Sequence, residues 1–203
     1  MANPPPLLLI ATANRHKTEE FRALLDGIAA VEDLTSHPHL PQVEETGTTF
    51  EDNSAIKAIA AARATGLPAL ADDSGLEVDA LGGEPGVHSA RYSGVGATDA
   101  SNRHKLLGEL ARLPESTARS ARFRCVLTLA SPAGEILGSW SGSVEGRIIG
   151  KEQGGGGFGY DPLFIPDGHE QTFAELPAET KNKLSHRGRA TAAFLADRAQ
   201  WSL

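Results

Sequence analysis

Leu7-Leu8-Leu9-Ile10-Ala11-Thr12, followed by Ala13-Asn14-Arg15-His16-Lys17, is the stretch that sets the architecture. A short continuous apolar run reads as a buried strand, and Asn14 reads as the N-cap of a helix running to about Asp26. The unit is therefore strand, turn, helix, and it places Lys17 in the helix's opening turn. A helix N-terminus already carries partial positive charge and unpaired N–H groups, so a lysine there is mildly unfavourable unless an anion binds between them. Phosphate is the natural anion. The alternative, Lys17 facing water beside Glu19 and Glu20, stays equally open on this motif alone.

Outward from this unit, Thr48 and Glu51 at capping-box spacing open a second helix with Ile56 and Ile59 on one side, ended by Gly66 and Pro68. A short strand, Ala69-Leu70-Ala71, then delivers Asp72-Asp73-Ser74-Gly75 at its end, and Leu76 to Asp79 alternates with period two. A third helix spans Ala97 to Leu113, opened by Thr98 or Asp99, with Leu106, Leu107 and Leu110 apolar. Arg122–Ala130 and Glu135–Ile148 read as strands joined by the turn Ser131-Pro132-Ala133-Gly134, an antiparallel hairpin that makes the sheet mixed. Gly154 to Gly157 lead into Phe158-Gly159-Tyr160-Asp161-Pro162, and a last helix is expected over Ser185–Trp201.

With 203 residues, 40% of them hydrophobic and 22% charged, the chain suits one packed domain covering 1–203. Its single cysteine, Cys125, cannot close an internal disulfide and reads as a buried thiol in a strand. No basic leader is present, and Leu7–Ala11 is too short for a signal core or a membrane span, so a cytoplasmic location is expected. A formal charge of -7 argues against nucleic acid and acidic membranes as partners. A small polyanion needs only a local cluster of cations.

Candidate carboxylates for such a site are Glu44-Glu45 before the second helix and Asp72-Asp73 after it. Mg2+ takes oxygen ligands and keeps several waters, so one or two carboxylates plus substrate phosphates suffice. Asp72 or Asp73 capping the turn at Gly75 is the competing reading. Lys57 lies one helical turn after Asn53 and either bridges to phosphate or is a solvated surface lysine. The Gly156–Pro162 segment, with two aromatic rings, suits a flat ligand or else forms a tight turn over a core Phe. Lys181, Ser185, His186 and Arg187 are expected to open the last helix. Arg187 offers only donors, so a purine with an acceptor at position six fits, whereas adenine sets donor against donor. No Walker A loop, dinucleotide fingerprint or zinc cluster is present.

In this order the motifs resemble the inosine triphosphate pyrophosphatase family, almost end to end. The carriers are Thr12-Ala13-Asn14-Arg15-His16-Lys17, Glu44-Glu45-Thr46-Gly47, Phe50 to Lys57, Ala71-Asp72-Asp73-Ser74-Gly75-Leu76, Pro85 to Gly94, Phe158-Gly159-Tyr160-Asp161-Pro162 and Ser185-His186-Arg187-Gly188. The resemblance implies a two-lobed α/β fold around a long mixed β-sheet flanked by helices, with the active-site cleft between the lobes, and a homodimer. It implies hydrolysis of ITP, dITP or XTP to the monophosphate and pyrophosphate, with Mg2+ as cofactor. By motif position, Glu45 and Asp73 would hold the metal and Asp73 would be the general base. Residues Thr12 through Lys17, with Lys57 and Ser74, would bind phosphates or sugar. Phe158, Gly159, Tyr160, Asp161, Lys181, His186 and Arg187 would read the base. Ala13 departs from the Gly or Ser usual in relatives, a change of little weight where the backbone makes the contact. A non-catalytic nucleotide-sensing module and a pyrophosphatase for other modified nucleotides remain the alternatives.

Overall fold

The structure is a computed structural model and describes residues 5–198. β1 (Leu7–Ile10) is the strand read from the opening run, with Leu8, Leu9 and Ile10 fully buried. Asn14 caps α1 (Arg15–Leu24): its side-chain oxygen accepts from the backbone N–H groups of His16 at 3.0 Å and Lys17 at 3.3 Å, satisfying two of the donors that a helix start leaves open. β2 (Ala30–Asp33) runs parallel to β1, from Leu7↔Ala30 to Ile10↔Asp33. Its sequence, Ala-Val-Glu-Asp, carries no strand pattern, and the pairing with β1 alone reveals it.

α2 (Phe50–Thr65) starts one residue later than the Thr48 box implies, because Thr49 and Asp52 share the same spacing and Thr49 Oγ1 accepts from Asp52 N at 3.1 Å. Its buried face is Ala58, Ala61 and Ala62, packed with Leu9, Ala69, Ala71 and Ala130, while Ile56 and Ile59 are only half-buried. Small side chains let the helix lie close against the strands, and close packing decides which face turns inward. The helix ends at Gly66, whose φ of 70° is left-handed and whose Cβ position is open. Gly66→Ala meets no clash yet must hold that conformation, so it should cost about 1 kcal/mol. The check is a lower denaturation midpoint at unchanged m-value; an unshifted midpoint contradicts the cap assignment.

β3 (Ala69–Val78) is one strand of 10 residues, so Asp72 and Asp73 lie within it and not at a strand terminus. β1 pairs with β3 only at Leu9↔Ala69 and Ile10↔Leu70. The acidic pair thus follows the point where β1 gives out, although the strand itself continues through Ser74 and Gly75.

α3 (Asp99–Ala111) is capped by Thr98, with Ser101 completing a reciprocal box. β4 (Ser120–Ala130) and β5 (Ile136–Ile148) are adjacent strands joined by the expected turn, where Gly134 at φ 81° donates to Ser131 O at 2.7 Å. β6 (Phe164–Pro166) is antiparallel to β5. The sheet order is β2-β1-β3-β4-β5-β6, mixed as the hairpin implied. α4 (Ala178–Leu184) and α5 (His186–Ala196) replace the single last helix: Ser185 sits extended at ψ 159° between them, so Lys181 belongs to α4 and only His186 and Arg187 open α5. The expected end of that helix at Trp201 lies outside the described residues.

The chain forms two compact units. The first is drawn from Met1–Asp73, Cys125–Gly142 and Gly188–Leu203. Its core joins Leu8, Ile10, Phe21, Leu70, Leu127 and Phe194, with the alanine-rich cluster under α2. The second is drawn from Ser74–Arg124 and Ser143–Arg187, around Leu76, Leu106, Phe123, Leu163, Phe164 and Phe173. Among the described residues, no helix is long and apolar enough to cross a membrane.

Candidate active site

In the first unit, four elements bring charge to one point. α1 supplies Lys17, β3 supplies Asp72 and Asp73, α2 supplies Lys57, and the segment before α2 supplies Glu45. Lys57 Nζ donates to Glu45 Oε1 at 2.8 Å, to Asp73 Oδ1 at 2.6 Å and to the Asp72 backbone oxygen at 2.8 Å, which occupies all of an ammonium's donors. Lys17 Nζ pairs with Asp72 Oδ1. Neither bland alternative is what the structure contains, since the Lys17 and Lys57 side chains are only 17% and 14% exposed.

Two supports of this cluster were expected from the sequence only as a buried strand thiol and as the residue that shares the Lys57 face of the second helix. Cys125, fully buried on β4 as expected, donates its thiol to Asp72 Oδ2 at 3.0 Å. Asn53, fully buried one turn before Lys57, accepts from Gly47 N at 2.8 Å and so fixes the segment that carries Glu45. A Cβ on Gly47 would fall 2.7 Å from that Asn53 oxygen.

Burial works against the charged form of Lys57, but the carboxylates of Asp73 and Glu45 outweigh it and hold the ammonium above its ordinary range. Asp73 moves the other way. Burial raises its carboxyl, and the opposing pull of Lys57 and Lys17 does not cancel this, with Glu45 adding repulsion. The two directions fit together: Lys57 holds its proton more firmly than a free lysine, and burial strengthens the hold of the Asp73 carboxyl on a proton.

Asp73 Oδ2 is buried and has no hydrogen-bond partner. A carboxylate oxygen left bare beside Glu45 suits a hard divalent cation, which needs few protein ligands when phosphates and water supply the rest. Among the described residues no group of three or more His, Cys, Asp or Glu forms a closed metal cage. Glu44 is exposed and is not among the partners of Lys57. Of the Thr12–His16 segment, Thr12 Oγ1 accepts from Asn14 N at 3.1 Å, Ala13 and His16 are exposed, and Arg15, at 87% side-chain exposure, pairs with Glu19.

The second unit gathers the remaining candidates. Asp161, 4% exposed, accepts on Oδ2 from Lys181 Nζ at 2.6 Å and from Phe158 N at 2.9 Å. A Cβ on Gly157 would lie 2.1 Å from that same oxygen, so the loop needs a glycine there. Lys181 Nζ lies 4.9 Å and Arg187 Cζ 5.8 Å from the centre of the Phe158 ring. Arg187, 1% exposed, donates from Nη2 to Ser74 Oγ at 3.0 Å. His186 stacks on Phe123 at 4.8 Å and 10°. Tyr160 corrects the expectation of two rings for a flat ligand: it is a core residue, 4% exposed, and its hydroxyl donates to Ser89 O at 2.9 Å. Burial, then Tyr92 and Asp99, push that phenol far above its usual range, so it stays a neutral donor. Phe158 is half-buried, with the two cations of Lys181 and Arg187 near its ring.

A sequence model of the Ham1 family matches residues 8–197. The chain is 52% identical over 195 residues to the dITP/XTP pyrophosphatase of Geobacter sulfurreducens, covering 96% of each. It is 47% identical over 196 residues to the enzyme of that name from Desulfotalea psychrophila, covering 96% of this chain and 86% of the relative. A HAM1 protein structure from Coxiella burnetii superposes with TM-score 0.86 at 40% identity, covering 97% of this chain and 100% of that one. The nucleoside-triphosphatase/dITP/XTP pyrophosphatase of Mycobacterium abscessus does so with TM-score 0.72 at 45% identity, covering 93% and 98%. With a family match across nearly its whole length, relatives near half identity and the same α/β fold in solved structures, this chain belongs to the Ham1 family.

Proposed function

We propose that this chain hydrolyses deaminated purine nucleoside triphosphates, ITP, dITP and XTP, to the monophosphate and pyrophosphate. The observation that carries the proposal is the bare, buried Oδ2 of Asp73 beside two lysines. A module that only senses nucleotides has no use for a carboxyl whose proton affinity burial has raised.

Asp73 takes the proton from the attacking water, and the water oxygen forms the new bond to phosphorus. The anhydride bond between the α and β phosphates breaks and pyrophosphate leaves. Lys17 and Lys57 offset the charge on the phosphate oxygens, and the segment Thr12 through His16 lies at the positive end of the α1 dipole, which favours an anion there. Glu45 and Asp73 would hold Mg2+, which when bound screens phosphate charge and polarises the reacting group. Phe158 stacks on the base, Asp161 and Lys181 set the loop that carries it, and Arg187 and His186 present donors to the position-six oxygen. A homodimer and a cytoplasmic location belong to the same proposal, and both rest on the family resemblance.

The test is pyrophosphate release from ITP, XTP, dATP, GTP and dTTP, with and without Mg2+. Slow turnover of all five without preference overturns the substrate assignment. Arg187→Ala should reduce the preference for ITP over ATP about ten- to a hundredfold, the worth of about 1 to 3 kcal/mol per mismatched donor. An unchanged ITP to ATP ratio in a folded variant removes Arg187 from base reading.

A further inference from the structure

α3 reaches the loop of Phe158 through a residue with no side chain. Gly159, at φ 59°, offers a neighbour only its backbone groups, and both are taken by α3. Its N–H donates to Asp99 Oδ2 at 2.7 Å, and its carbonyl accepts from Arg103 Nη1 at 2.8 Å. Asp99 and Arg103 are one helical turn apart and share a face. Arg103 is itself held by Glu152 at 2.9 Å and is 15% exposed at its side chain.

We propose that Asp99 and Arg103 are positioning residues for base selectivity, acting through Gly159 on the Phe158 ring. The proposal rests on the assignment of the base to Phe158, Asp161, Lys181 and Arg187 made above. On one side of Gly159, Phe158 is tied to Asp161 by its backbone N–H. On the other, Tyr160 is tied to Ser89. Gly159 is the joint between them, and a glycine at positive φ is the residue type whose dihedrals are least restrained by its own side chain. The paired bonds from α3 remove that freedom. The Phe158 ring then keeps one place relative to the Lys181 ammonium and the Arg187 guanidinium, and a purine stacked on it meets the Arg187 donors in one register. Small displacements of positioning groups are enough to change rates strongly.

The experiment measures kcat and KM for ITP and ATP at saturating Mg2+ on purified full-length protein. Asp99→Ala and Arg103→Met should each raise KM for ITP and lower the ITP to ATP ratio of kcat/KM, both about tenfold, while kcat for ITP stays within about twofold. Asp99→Asn keeps an acceptor oxygen for Gly159 N and should behave as wild type. Thr98→Ala breaks the α3 cap without touching either Gly159 bond, so it controls for weakening of the helix start and should keep wild-type selectivity. Unchanged selectivity in both Asp99→Ala and Arg103→Met overturns the proposal, as does an equal loss in Thr98→Ala or a fall in kcat alone. Should Arg103→Met fail to fold, exposed Asp99 decides the matter. A wild-type enzyme with no preference for ITP overturns the base assignment and this proposal together, whereas wild-type preference with unmoved variants overturns this proposal alone.

Discussion

Asp73→Asn is expected to lower kcat for ITP about a thousandfold while leaving the protein folded and able to bind ITP. The amide keeps the shape of the carboxyl and can still face Lys57, but it cannot take a proton from water. The stability of the variant follows from the direction in which Asp73 is shifted. Its folded-state pKa is raised, by burial first and then by Glu45 against the pull of the lysines. A group raised in this way contributes stability below its unfolded value, and that contribution is lost as the pH rises through the folded value. At neutral pH, then, the ionised Asp73 weighs against folding. Asn removes that charge while Lys57 keeps Glu45 Oε1 and the Asp72 carbonyl as partners. The variant should therefore melt no lower than wild type at pH 7 in the presence of chelator, the usual relation between a catalytic charge and stability. Turnover within about tenfold of wild type rules out Asp73 as the base, and a clear fall in melting temperature contradicts the direction of its shift.

What the sequence disclosed was local chemistry, and what it withheld was set by partners far along the chain. The Asn14 cap was legible because its acceptor serves N–H groups two and three residues on. The turn at Gly134 was legible for the same reason. Asp72-Asp73-Ser74-Gly75 misled, because acids followed by glycine read as a turn, yet β3 carries straight through them beside β4. The inward face of α2 was misjudged because isoleucine outranks alanine in hydrophobicity, while packing against Ala69, Ala71 and Ala130 favours the smaller residue. Tyr160 looked like a stacking platform beside its glycines, and only the carbonyl of distant Ser89 explains why it faces the core. Motif order nevertheless named Lys17, Glu45, Lys57, Asp72 and Asp73, which the fold brings to one point. Their supports, Cys125, Asn53, Asp99 and Arg103, are ordinary residue types whose roles exist only once the chain has brought their partners near.

Lys57→Met tests the other half of the cluster, and its effect should fall on stability as well as rate. Lys57 Nζ stands between Glu45 Oε1 and Asp73 Oδ1, whose side chains are 24% and 8% exposed. Methionine fills much of the same volume but leaves two carboxylates facing each other without a cation between them. Removing one partner of a buried ion pair costs more than the pair contributed, because the remaining charge stays desolvated, and about 3 kcal/mol is the expected loss in chelator. Protonation of one carboxylate relieves the repulsion, so the deficit should shrink as the pH is lowered towards the carboxylate range. Mg2+ should relieve it too if Glu45 and Asp73 are its ligands, so the rise in melting temperature on adding Mg2+ should be larger in Lys57→Met than in wild type. Turnover should stay low even then, because the lysine's charge on the phosphates is not restored. A variant as stable as wild type in chelator would show that Lys57 is not the counter-ion of this carboxylate pair. A destabilised variant indifferent to Mg2+ would place the metal elsewhere than on Glu45 and Asp73.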